Sequence, residues 1–224
     1  MQFGRTLPLR TRAWLGRLCA TLALSVLSWW TTPAMAYEEP SYDVVEAHEG
    51  FELRRYAPML VVETDMPGGR DAGGNAAFRR LFDYIAGNNR SQQRIEMTVP
   101  VVMGPASQKI EMTVPVLTQP GSGGAPTMQF VLPARFTPES APQPVDATLR
   151  LRLLPEQWLA VRRYSGRTTD ANFREAADAL LQALPAAGLT AMGPARMAVY
   201  NGPFTPWFMR RNEALVPVAP PAAR

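Results

Sequence analysis

Cysteine is almost missing from this 224-residue chain, with Cys19 the only one. A lone thiol closes no disulfide within the chain, and a protein that loses it keeps no thiolate nucleophile and no sulfur ligand for iron or zinc beyond weakly binding methionine. Histidine is as scarce: His48 stands alone, which excludes a multi-histidine metal site. A Ser-His-Asp triad would have to use His48, yet no G-x-S-x-G elbow accompanies it and Ser41 is the only nearby serine. No Walker loop or G-x-G-x-x-G follows a predicted strand, and Gly121-Ser122-Gly123-Gly124 falls in a polar loop as a flexible connector. Long hydrophobic runs are lacking too. The uncharged stretch Leu18–Trp30 has 13 residues, short of the roughly 20 that a spanning helix needs.

That stretch follows Arg5, Arg10, Arg12 and Arg17 and precedes Ala34-Met35-Ala36, the pattern of a secretory signal peptide over residues 1–36 with Tyr37 as the first mature residue. The expected location is periplasmic or secreted, with a retained anchor as the alternative. Arg17 within Gly16-Arg17-Leu18-Cys19 argues against a lipoprotein box, and Arg10 and Arg12 are not adjacent as a twin-arginine signal requires. Residues 1–36 hold four of the 23 basic residues and none of the 19 acidic ones, so residues 37–224 are neutral when His48 is neutral. The sequence pI of about 9.6 therefore belongs largely to the leader and gives no support for a nucleic-acid partner. Cys19 leaves with the leader, and no stable membrane insertion is expected after cleavage. The remaining 188 residues suit one domain with a sizeable core.

Within those residues, Tyr42–His48 and Phe51–Tyr56 flank Glu49-Gly50 as a β-hairpin, and Met59–Thr64 is a buried strand ended by Pro67-Gly68-Gly69. From Asn75 the period turns helical: Phe78, Leu81, Phe82 and Ile85 form one inward stripe, and Gly87-Asn88-Asn89 stops the helix. The heptapeptide Ile95–Val101 then recurs unchanged as Ile110–Val116. Each copy alternates as a half-buried strand, with Pro100 and Pro115 marking edges or bulges. The two copies pair across a loop to form one wall of a sheet, or Met97 or Met112 contacts a ligand directly. Further strands are expected at 128–132, 148–153, 158–164, 197–200 and 214–218, with a Pro-rich irregular connection over 133–147. A second amphipathic helix opens at Asp170, carries Phe173, Ala177, Leu180, Leu181 and Leu184, and stops near Gly188.

Glu52-Leu53-Arg54-Arg55-Tyr56-Ala57-Pro58 echoes Ala160-Val161-Arg162-Arg163-Tyr164-Ser165-Gly166, each followed by an amphipathic helix. A unit used twice implies an α+β fold: a distorted antiparallel β-barrel from two pseudo-symmetric halves, flanked by two amphipathic helices. The cleft between such halves is a natural ligand site.

The densest constellation is Phe204 through Glu213, three aromatics and Met209 beside Arg210 and Arg211 in a proline-stiffened loop. It suits a flat apolar ligand with peripheral carboxylates, or it caps the core with its arginines paired to local acids. His48, at the hairpin, is a solvated turn residue or an axial ligand. Glu96 and Glu111 face away from the apolar side of their strands, as solvated groups or partners of Arg94 and Lys109.

Phe51–Pro58, the two Ile-Glu-Met-Thr-Val-Pro-Val copies, Tyr164-Ser165-Gly166, and Tyr200–Pro203 through Arg210-Arg211-Asn212-Glu213 resemble the SOUL family of haem-binding proteins. Matches run in order from about Tyr42 to Val218. The resemblance implies a distorted barrel flanked by two helices, similar to the small-molecule-sensing domains of some bacterial transcription regulators, and a non-catalytic carrier, buffer or sensor of haem or a related tetrapyrrole. It implies a haem surface on Phe78, Leu81 and Phe82 of the first helix and Trp207, Phe208 and Arg210 of the loop. Some members carry a proposed axial histidine where this chain has Arg55, so haem here would be held through His48, Met209 or a tyrosine, or by apolar contact. A hydrolase on the same barrel would instead need an acid among Glu63, Glu96 and Glu111 to meet Tyr56 or Tyr164. Another apolar ligand or a protein partner is the remaining reading.

Overall fold

The structure, a computed structural model, describes residues 37–91, 107–121 and 124–221. The signal-peptide segment 1–36, the first heptapeptide copy and with it Arg94, Glu96 and Met97 lie outside the described residues.

Strands β1 (Tyr42–His48) and β2 (Phe51–Tyr56) form the expected hairpin. Its turn needs Gly50, at φ 82°, where a Cβ would be strained. After Ala57-Pro58 the chain continues as β3 (Met59–Asp65). Helix α1 (Gly69–Ala86) follows, then the short β4 (Asn89–Arg90), β5 (Val116–Gln119) and β6 (Thr127–Val131). The Pro-rich stretch is irregular except for β7 (Gln143–Pro144), which pairs with β4. Strands β8 (Arg150–Leu154) and β9 (Gln157–Tyr164) lead to helix α2 (Asp170–Ala183), and β10 (Arg196–Val199) and β11 (Asn212–Pro217) complete the fold.

Nine strands make one antiparallel, strongly curled half-barrel sheet in the order β1-β2-β9-β11-β10-β5-β6-β3-β8. Its centre reads β9-β11-β10 against β5-β6-β3, a palindrome about the β10–β5 seam. The two halves are thus pseudo-symmetric: β2-β3-α1-β5-β6 and β8-β9-α2-β10-β11 trace the same path, and β2 pairs with β9 as β3 pairs with β8. The sequence echo set β2 against β9, whereas the topology equates β9 with β3, the strand that directly precedes the other helix. The echo records like positions on neighbouring paired strands.

Each helix covers one half of the convex face. Under α1 lie Leu60, Val62, Met128 and Phe130, and under α2 lie Leu53, Ala160, Ala214 and Val216. The concave face packs on itself through Tyr56, Leu159, Val161, Tyr200 and Leu215, joined by Val61, Val131 and Leu154. Helix α2 starts at Thr169, whose hydroxyl accepts from the Asn172 N–H, a standard cap.

Two expectations are corrected. Helix α1 begins at Gly69, six residues before the expected Asn75, and presses against the preceding turn. A Cβ at Gly73 would stand 2.6 Å from the Pro67 carbonyl oxygen, so glycine is required there. Its buried face is Ala77, Leu81, Tyr84 and Ile85, while Phe78 and Phe82 sit on the exposed flank. The helix rotates to put small and aliphatic groups against the sheet, which leaves both rings half in water. Second, the repeat Ile110–Val116 is not a ladder strand along its length. Thr113 makes one isolated bridge to Glu38, and regular pairing begins at Val116, past Pro115, which has no N–H to donate. The apolar alternation still holds, with Ile110 and Val114 in separate core clusters.

Candidate functional site

Inside the curl the end formed by β9, β11 and β10 is filled, with a cavity of about 30 Å³ among Tyr56, Leu117, Leu159 and Leu215, while on the same face of β3, β5, β6 and β8 a charged pocket of about 380 Å³ is lined by Glu63, Asp65, Gln119, Thr127, Arg150 and Arg152. A more apolar cleft of about 640 Å³ lies on the convex face between the helices. Its floor is the central seam, where Val116 and Thr118 of β5 stand opposite Val199 and Met197 of β10. One wall is α1, through Arg70, Gly74 and Phe78; the other is the chain from Tyr200 to Phe204. Met112, Val114 and Met128 close one end. Strand alternation builds this floor, because residues of one parity face the lumen and those of the other face the cleft.

Phe78 stacks on Phe82, with ring centroids 6.2 Å apart, and meets Phe130 edge-on at 5.3 Å, which fixes the ring at the cleft wall. Arg70 spans the cleft toward α2: it donates to Met197 Sδ at 2.8 Å and pairs with Asp170 at 2.6 Å, and its Nε is buried without a partner.

The expected haem surface divides. Phe78 lines the cleft; Leu81 is fully buried beneath α1, and Phe82 supports Phe78 from outside the cleft. Trp207 faces a second cleft of about 620 Å³ between α2 and β9, beside Arg162, Tyr164 and Arg167. Phe208 meets Trp207 edge-on at 5.6 Å. Arg210 is spent on its own loop, donating to the carbonyls of Thr205 and Pro203 at 2.8 Å each, so the expected pairing with ligand carboxylates gives way to a structural role. His48 stacks on Phe51 at 4.6 Å, with Nε2 3.2 Å from Glu46, and is not among the residues lining the cleft.

Among the described residues, the acids and phenols named for a hydrolase, Glu63, Glu111, Tyr56 and Tyr164, do not converge. Glu63 accepts from Gln129 and faces Arg150 and Arg152, and Glu111 pairs with Arg135, not Lys109. Tyr56 lies in the lumen and Tyr164 in the second cleft.

The sequence reading named Glu213 within the Phe204–Glu213 cluster but not its place as a fully buried carboxylate in the lumen wall. It accepts from Arg54 Nη1 at 3.1 Å, the Tyr200 hydroxyl at 2.8 Å and Arg211 Nε at 3.0 Å. Strand parity is the signal that could have found it, since Glu213 and Leu215 share a face whose neighbours are apolar. The cleft residues Arg70, Gly74 and Met197 were missed, because they come together with Phe204 of the aromatic constellation only across the seam. Met112, Val114 and Val116 belong to the alternating stripe already noted.

Burial pushes the phenol of Tyr56 up to about 12, despite the opposing hydrogen bond from Arg54, and burial likewise raises Tyr164 to about 12. Both keep their protons in the fold beyond the ordinary tyrosine value of 10.0. The stability this contributes is whole below pH 10 and is lost as pH rises toward 12. Urea midpoints measured across that range should fall, and fall less in Tyr164→Phe.

The fold and cleft define an α+β half-barrel with an apolar cleft outside the curl, between two helices. The chain belongs to the SOUL heme-binding protein family, whose model matches residues 37–217. No curated protein matches it in sequence. Among solved structures it is similar to a hydrolase from Listeria innocua, at 13% identity and a TM-score of 0.47, over 83% of this chain and 94% of that one. It is similar to the C-terminal domain of EcmrR at 11% identity and a TM-score of 0.45, over 80% and 98%. A putative transcription regulation protein from Staphylococcus aureus matches at 14% identity and a TM-score of 0.40, over 81% and 100%.

Proposed function

We propose that this protein binds haem or a related tetrapyrrole in the convex cleft as a carrier, buffer or sensor, without catalysing a reaction, after export to the periplasm or medium. The observation that carries the reading is the contrast between two open spaces: a charge-lined pocket of about 380 Å³ inside the curl, and an outer cleft of about 640 Å³ floored by the aliphatic seam and lined by the Phe78 and Phe204 rings. That volume lies within the ~300–1,000 Å³ usual for small-molecule sites. The aliphatic seam and the two rings suit the faces of a flat macrocycle. Arg70 is the cation among the cleft's lining residues, and a ligand carboxylate there would compete with Asp170 for its guanidinium. Met112, Met128 and Met197 are the soft donors that line the cleft, and a thioether is an established axial ligand for haem iron.

Titration of residues 37–224 with ferric haem, followed by the Soret band, tests this. Saturation at one equivalent is expected. His48→Ala should leave the bound spectrum unchanged. Gly74→Leu projects a side chain into the cleft from a helical position whose Cβ would meet only Arg70 Cγ at 3.6 Å, so it should abolish binding while the fold remains. Saturable binding that survives Gly74→Leu would move the site elsewhere, and no saturable binding would reject haem for this protein. N-terminal sequencing of the exported protein should begin at Tyr37, as the signal-peptide reading requires.

A further inference from the structure

We infer that the loop Pro203–Met209 docks this protein reversibly on an anionic lipid surface. Phe204 is 98% exposed, and Trp207, Phe208 and Met209 are all more than half exposed. Four large apolar side chains within six residues, none of them buried, form an outward tip, and exposed apolar clusters of this kind mark an interaction site.

The build of the tip suits a lipid surface. A loop that settles at the headgroup boundary loses least when much of its backbone is already hydrogen-bonded within the protein. Here the Thr205 N–H donates to Gly202, Met209 N–H to Pro206 and Arg210 N–H to Trp207, and the Arg210 side chain fills the carbonyls of Thr205 and Pro203. The Trp207 carbonyl also accepts from the Gly166 N–H. Pro203 and Pro206 have no N–H to satisfy. These bonds brace the loop and satisfy part of its backbone, the wet headgroup region can hydrate the rest, and a bilayer asks for no shape complementarity from it. Tryptophan and phenylalanine are the side chains that settle at membrane–water interfaces.

Charge supports the same occupant. Residues 157–169 and 189–212 contain no acidic residue. The Gly166–Trp207 bond ties these two segments together, and Arg162 and Arg167 lie beside Trp207 with Glu175 as the one acid in that group. Cations beside an apolar tip favour anionic headgroups. The docking is interfacial: no helix among the described residues is long and apolar enough to cross a membrane. The inference rests on the loop and does not require a ligand in the cleft.

Among the described residues the sheet, both helices and the core clusters fall within 37–224, which forms one compact unit and is the portion to test. Flotation with phosphatidylcholine–phosphatidylglycerol vesicles should carry the protein upward, less so in pure phosphatidylcholine or at high salt. In a Trp158→Phe background Trp207 is the only tryptophan of residues 37–224, and its emission should shift to the blue on adding the anionic vesicles. The triple variant Phe204→Ser/Trp207→Ser/Phe208→Ser alters only exposed side chains. It should keep the native circular dichroism and bind vesicles at least about tenfold more weakly, since each buried ring contributes on the order of a tenfold change. Failure of the wild-type protein to float with anionic vesicles, or equal flotation of the triple variant, overturns the inference. Cross-linking of the tip to a protein without any vesicle binding would assign the loop to a protein partner and overturn it as well.

Discussion

Glu213→Ala is expected to lower the free energy of unfolding by about 3–5 kcal/mol, read as a drop in urea midpoint at unchanged slope. Glu213 is fully buried and Arg54 is 5% exposed. Besides Glu213, Arg54 donates to Glu52 at 2.7 Å and to the Tyr56 hydroxyl at 3.2 Å, and its guanidinium lies 4.4 Å from the Tyr42 ring centroid. On the other side, Arg211 bridges Glu213 to Glu39 and rests on the Tyr200 ring at 3.7 Å. Removing the carboxylate leaves one buried guanidinium without its main counter-charge and the Tyr200 hydroxyl without an acceptor. The cost comes from the stranded partners more than from the lost attraction. A double variant, Arg54→Met/Glu213→Leu, should therefore recover part of the loss, and a double variant no more stable than Glu213→Ala would show that the pair stabilises beyond its own desolvation cost. The network also ties the concave wall to the cleft, because Tyr200 reaches Glu213 through its hydroxyl while its residue lines the cleft on the other side.

Leu81→Ala is expected to cost about 2–5 kcal/mol of stability, the usual range for a leucine truncated in a core, whereas Phe82→Ala should cost less than about 1 kcal/mol, as exposed sites generally do. Leu81 is fully buried among Ala77, Tyr84 and Ile85 and packs in one cluster with Leu60, Val62 and Phe130, while Phe82 is 46% exposed. Urea denaturation of the two variants gives the difference directly. Haem titrated against the folded fraction of Leu81→Ala should saturate as it does for the wild type, because Leu81 does not line the cleft. A weakened haem affinity at full folding would return Leu81 to the ligand surface.

These cases show where a sequence reading is strong and where it stops. The β1–β2 hairpin, β3, β9, α2 and the stop at Gly87 matched their expected limits closely, because turn residues and alternation are local properties of consecutive residues. The start of α1 was not legible. The glycines at 68, 69, 73 and 74 weaken local helix propensity, and close packing against the Met66–Pro67 backbone overrides it. The rotation of α1 was equally hidden: Phe78, Leu81 and Phe82 lie on one face by periodicity, and which part of that face meets the sheet depends on the strands beneath it. Arg210 and Glu213 were visible as a cluster of charge and aromatics, but their partners come from the loop's own carbonyls and from β2, more than a hundred residues earlier in the case of Arg54.

From the sequence alone came the α+β class, the two pseudo-symmetric halves with their two helices, the family resemblance, and the exclusion of disulfide, multi-histidine and Walker-type chemistry. Each rests on residue counts, short-range periodicity or ordered motifs, which need no knowledge of distant contacts. Only the tertiary structure decided that the apolar cleft is convex while the space inside the curl is charged, that Leu81 supports the fold and Arg210 braces its loop, and that Phe204 and Trp207 stand on different clefts. Those outcomes depend on which strands pair across the β10–β5 seam and how the sheet curls. Burial and hydrogen-bond partners at such positions follow from non-local pairing and not from any one segment's pattern.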